Sequence, residues 1–164
     1  MKQEIERKFL LQGEGWRELA KAPGATTLLR QGYLSTDPER VVRVRIEGDE
    51  AYLTIKGKNG GAQGLVRAEW EYPIPLDEAQ DMLDALCSGV LEKRRSRILY
   101  RGFWWEVDEF LGANAPLVLA EIELDTPGQA FDKPEWIGAE VSQDMRYMNS
   151  NLARQPYSTW AKPA

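Results

Sequence analysis

Charged side chains at every second position of the first strand-like segment constrain the fold of this chain more than any other feature. Residues 4–8 read Glu-Ile-Glu-Arg-Lys, and successive side chains of a β-strand point to opposite faces. Glu4, Glu6 and Lys8 therefore share one face of the strand. Two carboxylates on one small patch repel each other unless water or a cation separates them. This face therefore needs partners from elsewhere in the chain.

The same alternation recurs along the chain and, with turns rich in glycine and proline, predicts eight strands. They cover about residues 2–11, 26–36, 40–47, 50–57, 65–74, 90–100, 102–110 and 117–125. Strands in such succession indicate an antiparallel meander. Helical spacing predicts helices at about 15–21, 76–86, 134–137 and 141–147.

In nearly every predicted strand the charged residues share one face and the apolar residues share the other. An ordinary surface sheet, with charge in water and apolar groups in a core, is the alternative for any single strand. An exposed sheet face also carries Ser, Thr, Asn and Gln, however, whereas here nearly every such position is ionised. We therefore predict an α+β fold, a closed eight-stranded antiparallel β-barrel or tunnel with a charged lumen and a few flanking helices.

Length and charge limit the domain count and the partners. The chain has 164 residues, a net charge of −5 and a single cysteine, Cys87. One domain at 1–153, followed by a C-terminal tail at 154–164, suits this length. The acidic balance argues against a nucleic-acid or membrane partner. A lone cysteine and the lack of a leader pattern predict a cytoplasmic protein, and the oligomeric state is left open.

Histidine is absent from the whole sequence. Its absence removes the commonest general base and the commonest transition-metal ligand. Serine-histidine and cysteine-histidine catalysis are therefore excluded. Any metal ion must be held by oxygen ligands, which favours Mg²⁺ or Mn²⁺, and less so Ca²⁺.

Both signs of charge meet in the predicted lumen. The acidic set is Glu4, Glu6, Glu69, Glu71, Asp108, Glu121 and Glu123, and the basic set is Lys8, Arg43, Arg45, Lys56, Arg67, Lys93 and Arg95. Burying these groups only as ion pairs would stabilise poorly, because desolvation can exceed the Coulomb gain. A polyanion chelated to divalent cations suits both sets, since carboxylates bind metal ions and basic side chains bind phosphate oxygens.

These residues resemble the triphosphate tunnel metalloenzyme superfamily, also called the CYTH domain family. Its amino-terminal E-x-E-x-K signature is present as Glu4, Glu6 and Lys8. The resemblance continues through the charged pairs at 43–45, 54–56, 69–71, 92–95, 107–108, 120–123 and 140–142. Residues 29–34 and 136–149 resemble the short bacterial enzymes that hydrolyse inorganic tripolyphosphate.

The resemblance implies a divalent-metal requirement, with Mg²⁺ or Mn²⁺ and two ions, and a role for each matching residue. Metal binding falls to Glu4, Glu6, Asp108, Glu121 and Glu123. Phosphate binding falls to Lys8, Arg43, Arg45, Lys56, Arg67, Lys93 and Arg95, with Glu69 and Glu71 in support. We assign proton handling to Lys8 or Lys93 if neighbouring cations lower its pKa. Tyr33 either hydrogen-bonds Lys8 or packs inside the barrel.

Three functions follow from the sequence. The leading prediction is metal-dependent hydrolysis of a phosphoanhydride in tripolyphosphate, a small polyanionic substrate. The second keeps the fold and changes the substrate, giving a thiamine or nucleoside triphosphatase or an adenylate cyclase. The third is a polyphosphate-binding module without turnover, which needs the basic residues but not the acidic ones.

Overall fold

A computed structural model describes residues 1–160, which form nine β-strands and three α-helices. The strands are β1 (Lys2–Leu11), β2 (Thr26–Ser35), β3 (Arg40–Glu47), β4 (Glu50–Gly57), β5 (Val66–Pro73), β6 (Val90–Tyr100), β7 (Phe103–Phe110), β8 (Val118–Glu123) and β9 (Ile137–Glu140). The helices are α1 (Trp16–Leu19), α2 (Leu76–Ala85) and α3 (Asn149–Arg154). Within residues 1–160, no helix has both the length and the apolar character needed to cross a membrane.

The sheet closes on itself through β1. The strand order is β5-β4-β3-β2-β6-β7-β8-β1-β9, and β1 also pairs with β5. The N-terminal half of β1 pairs with β5, as in Lys2 opposite Glu69, and its C-terminal half pairs with β8, as in Lys8 opposite Glu121. The predicted eight-stranded antiparallel barrel is therefore confirmed. β9 is an additional strand, attached to the end of β1.

Apolar residues cover the outside of the barrel along β1, β7 and β8. Phe9 and Trp105 are fully buried and meet edge to face, with ring centroids 5.6 Å apart. Trp136, which precedes β9, packs on the same indole at 6.0 Å, and Trp16 of α1 joins this cluster. The outward positions of the alternating strands thus form the main core.

The helix α2 packs on the outside of β3 and β4 through Ala79 and Leu83. The chain that leaves α2 passes very close to β2 at Gly32. A Cβ atom at Gly32 would lie 2.8 Å from the Cβ and Sγ atoms of Cys87. Only glycine allows this approach, so Gly32 fixes how the helix covers the barrel.

The C-terminal segment closes one end of the barrel. At that end the inward-facing residues of the strands are apolar and pack against Leu152 of α3. They are Leu10, Leu91, Phe110 and Leu119. Trp160 packs against Tyr147 and Tyr157, with ring centroids 5.1 and 5.0 Å apart. For the segment 154–164 the sequence allows either a tail or a strap over the barrel. Its residues 154–160 lie on this end of the barrel, whereas 161–164 lie outside the described residues.

Two of the predicted helices are wrong. Residues 134–137 form a turn that leads into β9, and 141–147 contain only a single 3₁₀ turn at Met145–Tyr147. Gly138 in β9 runs so close to β1 that an added Cβ would lie 3.1 Å from the Leu10 carbonyl oxygen. The conformation here follows from pairing with a strand more than a hundred residues away, and local periodicity carries no record of that pairing.

Candidate active site

The charged half of the barrel interior encloses a cavity of about 230 Å³. The predicted site residues that line it are Glu4, Glu6, Lys8, Tyr33, Arg43, Arg45, Lys56, Arg67, Glu69, Glu71, Lys93, Arg95, Glu121 and Glu123. Asp108 lies behind this wall and is 1% exposed. The strand alternation therefore brings the predicted set together around one space.

The strand register determines which charges are neighbours. Glu6 lies opposite Glu123, and Lys8 lies opposite Glu121, across the β1–β8 pair. On the facing wall, Tyr33 of β2 lies opposite Arg43 of β3. Directly opposed side chains on one face of an antiparallel pair are about 5 Å apart at Cβ. The acidic wall is thus formed by β1 and β8, and the arginine-rich wall by β3 and β6.

Two buried arginines have few anions to balance them, and within residues 1–160 Arg43 pairs only with the Glu71 carboxylate, 3.6 Å from its Nη2. Arg45 is 9% exposed and forms no salt bridge within residues 1–160; its Nε donates to the Gln31 side-chain oxygen at 3.0 Å. Burial, together with the charges of Arg43 and Arg95, lowers the pKa of Arg45 to about 10. The Nε atom of Arg43 is buried and has no hydrogen-bond acceptor. These groups create a site of positive potential that favours an anionic ligand.

Asp108 organises the floor of the cavity. It accepts hydrogen bonds from Lys93 Nζ at 2.7 Å and from Arg95 Nε and Nη2 at 2.8 Å. Burial opposes ionisation, but Arg95 and Lys93 outweigh it and hold the pKa of Asp108 at about 2. Its oxygens are occupied by these cations, so its contacts are those of a residue that positions Lys93 and Arg95. The predicted metal-binding role of Asp108 stays a prediction.

Burial lowers the pKa of Lys93 to about 7, and the neighbouring cations Arg95 and Arg45 add to the shift although Asp108 opposes it. Lys93 is 1% exposed, and its Nζ lies 5.5 Å from the centroid of the Phe110 ring. A lysine side chain with this pKa exchanges between its ammonium and amine forms near neutral pH, so it can release or bind a proton there. These are the properties expected of a group that handles protons.

Glu4 and Glu69 form a carboxyl pair beside Lys56. The Lys56 Nζ lies 3.0 and 3.1 Å from the two Glu4 oxygens and 3.5 Å from Glu69. Burial raises the pKa of Glu69 to about 7, and the hydrogen bond and charge of Glu4 add to it. Burial acts against ionisation of Glu4 as well, but Lys56 and Glu69 bring its pKa down to about 2. The two carboxyl groups therefore hold one proton between them below about pH 7.

Glu6 is crowded by other carboxylates. Burial, and then the charges of Glu121 and Glu4, raise the pKa of Glu6 well above its usual range. Glu121 is held in its charged form instead, because Lys8 and Arg95 outweigh the burial that raises its pKa. Glu123 pairs with Lys2 at 2.6 Å. The result is an acidic wall in which repulsion is relieved by retained protons, by lysines and by Arg95.

The donor chemistry of this wall fits a hard divalent cation. Carboxylate oxygens are the ligands that Mg²⁺ and Mn²⁺ prefer, and a cation would relieve the repulsion that raises the Glu6 pKa. Within residues 1–160, however, no three acidic or cysteine side chains converge closely enough to hold a metal ion in their present positions. The carboxyl groups of this wall that could hold one are those of Glu4, Glu6, Glu121 and Glu123, which line the cavity.

The predicted hydrogen bond between Tyr33 and Lys8 is not formed. The Tyr33 hydroxyl accepts instead from the Gln31 amide at 2.9 Å, whereas Lys8 Nζ donates to the Tyr147 carbonyl oxygen at 3.1 Å. Lys8 also pairs with Glu121 at 3.5 Å. The distribution of donors and acceptors in the barrel, which the sequence does not contain, decides these partners.

Several residues of the site were absent from the sequence prediction. Glu106 pairs with Arg95 at 3.1 Å, and Gln31 and Asn149 connect the arginine wall to Lys93. Glu106 and Gln31 share a face with predicted residues of β7 and β2, so strand alternation could have found them. Asn149 follows from no local pattern, because it reaches the cavity from the C-terminal segment.

Comparisons with known proteins agree with this geometry. The family model described as "CYTH domain" matches residues 2–157. A protein of Acetivibrio thermocellus named inorganic triphosphatase is 48% identical over 98% of this chain and 99% of its own length. One of the same name from Nitrosomonas europaea is 38% identical over 92% of this chain and 96% of its own. The crystal structure of an inorganic triphosphatase superposes with a TM-score of 0.61 at 35% identity, covering 93% of this chain and 95% of that chain.

Proposed function

Because the chain belongs to the CYTH domain family, we propose that it is a hydrolase that cleaves a phosphoanhydride bond of inorganic tripolyphosphate with the help of a divalent metal ion. The relatives that support this proposal are named inorganic triphosphatases, and this chain aligns with them over nearly their whole length. Within this chain, the observation that carries the proposal is the pair of buried arginines: Arg45 forms no salt bridge within residues 1–160, and the buried Nε atom of Arg43 has no hydrogen-bond acceptor.

The shape and lining of the cavity favour an inorganic chain over an organic triphosphate. The cavity of about 230 Å³ is bounded mainly by ionised side chains, and Tyr33 is the one aromatic residue among the described residues that line it. Tyr33 is buried and its hydroxyl is engaged by Gln31. A nucleobase or a thiazole ring would therefore find no open aromatic face for stacking.

The basic residues would bind and orient the phosphate chain. Arg43 and Arg45 present planar guanidinium groups, which suit phosphate oxygens and stabilise the charge that grows on the leaving phosphate. Arg95 is held in place by Asp108 and Glu106. Lys56 and Arg67 lie between these arginines and the acidic wall and extend the basic surface towards β5. The chain thus supplies positioning and charge stabilisation, the two needs of phosphoryl transfer.

The acidic wall would hold the metal ion through Glu4, Glu6, Glu121 and Glu123. When bound, a divalent cation such as Mg²⁺ or Mn²⁺ supplies neutralisation of phosphate charge and acidification of a bound water. Glu69 and Glu71 lie beside this group, and Glu69 carries the proton shared with Glu4. Two ions, as the family resemblance implies, are part of the proposal.

Proton handling falls to Lys93 in this proposal, with Lys8 in support. Lys93 Nζ can hold or release a proton near neutral pH because burial lowers its pKa to about 7. Lys8 has a pKa raised by Glu121 and Glu6 in spite of its burial. Lys8 therefore stays charged, and its ammonium group serves as a phosphate ligand rather than a base. A cytoplasmic location belongs to the same proposal and rests on the single cysteine.

A substrate panel tests the proposal. Phosphate release is measured on tripolyphosphate, pyrophosphate, ATP and thiamine triphosphate, each with Mg²⁺ and with Mn²⁺, and cyclic AMP formation is assayed in parallel. We expect tripolyphosphate to be the best substrate and chelation of the metal to abolish release. Preference for ATP or cyclisation would select the organic alternatives, and binding without turnover would select the polyphosphate-binding module.

A pair of arginine variants from one strand ties the activity to the cavity. Arg45→Ala removes the buried guanidinium, so we expect the KM for tripolyphosphate to rise about tenfold or more, the loss of a hydrogen bond to a charged group. Arg40→Ala is the matched control, because Arg40 begins the same strand but is exposed and pairs with Asp37. Equal KM values for the two variants would contradict the phosphate-binding role of Arg45.

A further inference from the structure

Asn149 is the residue through which the C-terminal segment reaches the cavity. It begins α3, and its Oδ1 accepts hydrogen bonds from Lys93 Nζ at 2.7 Å and from Gln31 Nε2 at 3.2 Å. Gln31 is completely buried and its side-chain oxygen accepts from Arg45 Nε. The two amides thus form a continuous path of hydrogen bonds from Arg45 to Lys93.

The orientation of both amides is fixed by groups that can only donate. The nitrogen and oxygen of an amide side chain are assigned from their hydrogen-bond partners. Arg45 Nε has no acceptor capacity, so the Gln31 atom that faces it must be the oxygen. The Gln31 nitrogen on the other side can also only donate, so the Asn149 atom that it meets must be the oxygen, which accepts from Lys93 as well. The Gln31 nitrogen then points to Tyr33 and to Asn149, as the structure shows.

This orientation leaves the Nδ2 group of Asn149 as a donor without a partner among residues 1–160. Asn149 lines the cavity, and its carbonyl side is already engaged by Lys93 and Gln31. Nδ2 carries two N–H donors on the opposite side of the same planar amide. Most lysines and arginines of the cavity are already paired with carboxylates, among them Lys8, Lys56 and Arg95. Asn149 differs because it is neutral and meets no carboxylate.

We propose that Asn149 is a substrate-binding residue, which donates from Nδ2 to an oxygen of the phosphate group that lies deepest in the cavity. The inference rests on the proposed function, because it assigns the ligand as the inorganic phosphate chain. A neutral donor beside Lys93 adds a directed hydrogen bond to phosphate. It adds no further positive charge next to Lys93, whose pKa the charges of Arg95 and Arg45 already lower. It also makes phosphate binding depend on the docked C-terminal segment.

Two substitutions separate the donor from the acceptor. Asn149→Asp keeps an oxygen for Lys93 and Gln31 and replaces the N–H donors with a carboxylate oxygen. Asn149→Ala removes both functions and adds no charge. Asn151→Ala is the control, because Asn151 lies in the same helix and donates to the Met145 carbonyl oxygen within the segment itself. Thermal unfolding of each variant shows whether the C-terminal segment stays docked.

Binding of tripolyphosphate is measured by titration calorimetry in chelator, without turnover, and KM and kcat are then measured with metal. We expect both Asn149 variants to weaken binding and to raise KM at least about tenfold, the loss of a hydrogen bond to a charged group, with Asn151→Ala unchanged. Weakening by Asn149→Ala alone would show that only the acceptor matters. Weakening by Asn149→Asp alone would show repulsion without contact. Either result, or an equal effect of Asn151→Ala, would overturn the inference.

The two proposals fail differently. If the wild-type protein releases no phosphate from tripolyphosphate, the proposed function is wrong, and calorimetry still decides whether Asn149 binds the phosphate chain. If the wild type hydrolyses tripolyphosphate and both Asn149 variants bind it normally, the proposed function stands and the role of Asn149 is wrong.

Discussion

The inner faces of β1, β6, β7 and β8 change from charged to apolar at one level of the barrel. On each strand an ionisable residue and an apolar residue lie two positions apart on the same face. These pairs are Lys8 and Leu10, Lys93 and Leu91, Asp108 and Phe110, and Glu121 and Leu119. The strand geometry is the same in both halves. The difference therefore comes from side chains alone, and it divides one barrel into a cavity and a core.

The two halves contribute differently to the protein. The apolar half buries Leu91, Phe110 and Leu119 against Leu152 of the C-terminal helix and so closes the barrel. Burial of such side chains stabilises a fold by about 1.5–3 kcal/mol each. The charged half buries ions, for which desolvation offsets the Coulomb attraction. Stability is therefore concentrated in one half of the interior, and ligand binding in the other.

The largest expected effect is a loss of stability in the apolar half. Phe110→Ala leaves a cavity beneath the closed end and should lower the free energy of unfolding by about 3–5 kcal/mol. Arg45→Ala in the charged half should lower it little or raise it, because Arg45 lacks a carboxylate partner within residues 1–160 and is disfavoured by Arg43 and Arg95. Urea denaturation of both variants measures the contrast. An equal loss in the two would show that the halves do not differ in this way.

The second effect is a loss of activity without a loss of stability. Glu6→Gln mimics the protonated carboxyl that the metal-free fold favours, since burial and the charges of Glu121 and Glu4 raise the Glu6 pKa. We expect the unfolding free energy to change little. Metal-dependent phosphate release should fall at least about a hundredfold, roughly 2.7 kcal/mol of transition-state stabilisation.

The exposed carboxylate of Glu135 supplies the control for this variant. Glu135→Gln makes the same chemical change outside the barrel and should leave activity unchanged. Normal turnover by Glu6→Gln would remove Glu6 from the metal-binding set. A large loss of stability would show instead that the Glu6 charge is part of the folded structure.

Alternation of charged and apolar residues along the strands predicts most of the fold and most of the residues that line the cavity. The bounds of β1, β3, β4 and β6 agree with the prediction to the residue, because each of these strands alternates charged and apolar groups over most of its length. The missed elements, β9 and α3, are short and acquire their conformation from contacts with β1 and with the apolar end of the barrel. Such contacts are not encoded in local periodicity.

The pairing of charges inside the cavity could not be predicted in the same way. Alternation places Lys56 and Glu4 on the inner face, but the stagger of the closed sheet decides that they meet at 3.0 Å. The same stagger puts Asp108 behind Lys93 and Arg95 rather than at the cavity surface. Alternation along the strands therefore predicts which residues face the lumen, whereas closure of the barrel determines which of them are partners.

The smallest effect concerns the pH dependence of stability in the charged half. Burial and Glu4 raise the pKa of Glu69 from 4.5 in the unfolded chain to about 7. Between these values the folded protein holds a proton that the unfolded chain has released, so the unfolding free energy should fall as pH rises from 5 to 7. The contribution of one group is below about 1.4 kcal/mol per pH unit.

Glu69→Gln cannot titrate and should make this part of the pH profile less steep, measured by urea denaturation in chelator. Glu6, whose pKa is also raised, keeps its own contribution in both proteins. The acid limb should persist, because Glu4 keeps Lys56 as a partner and its pKa, about 2 in the fold, lies below the unfolded value. Stability is therefore lost as pH falls from 4.5 towards 2 in both proteins. Phe110→Ala leaves Glu4 and Glu69 in place, so it should lower the unfolding free energy below about pH 6 without changing the shape of the profile there. Nearer pH 7 the neighbour of the ring, Lys93, also titrates. Parallel profiles for wild type and Glu69→Gln would show that Glu4 and Glu69 do not share a proton.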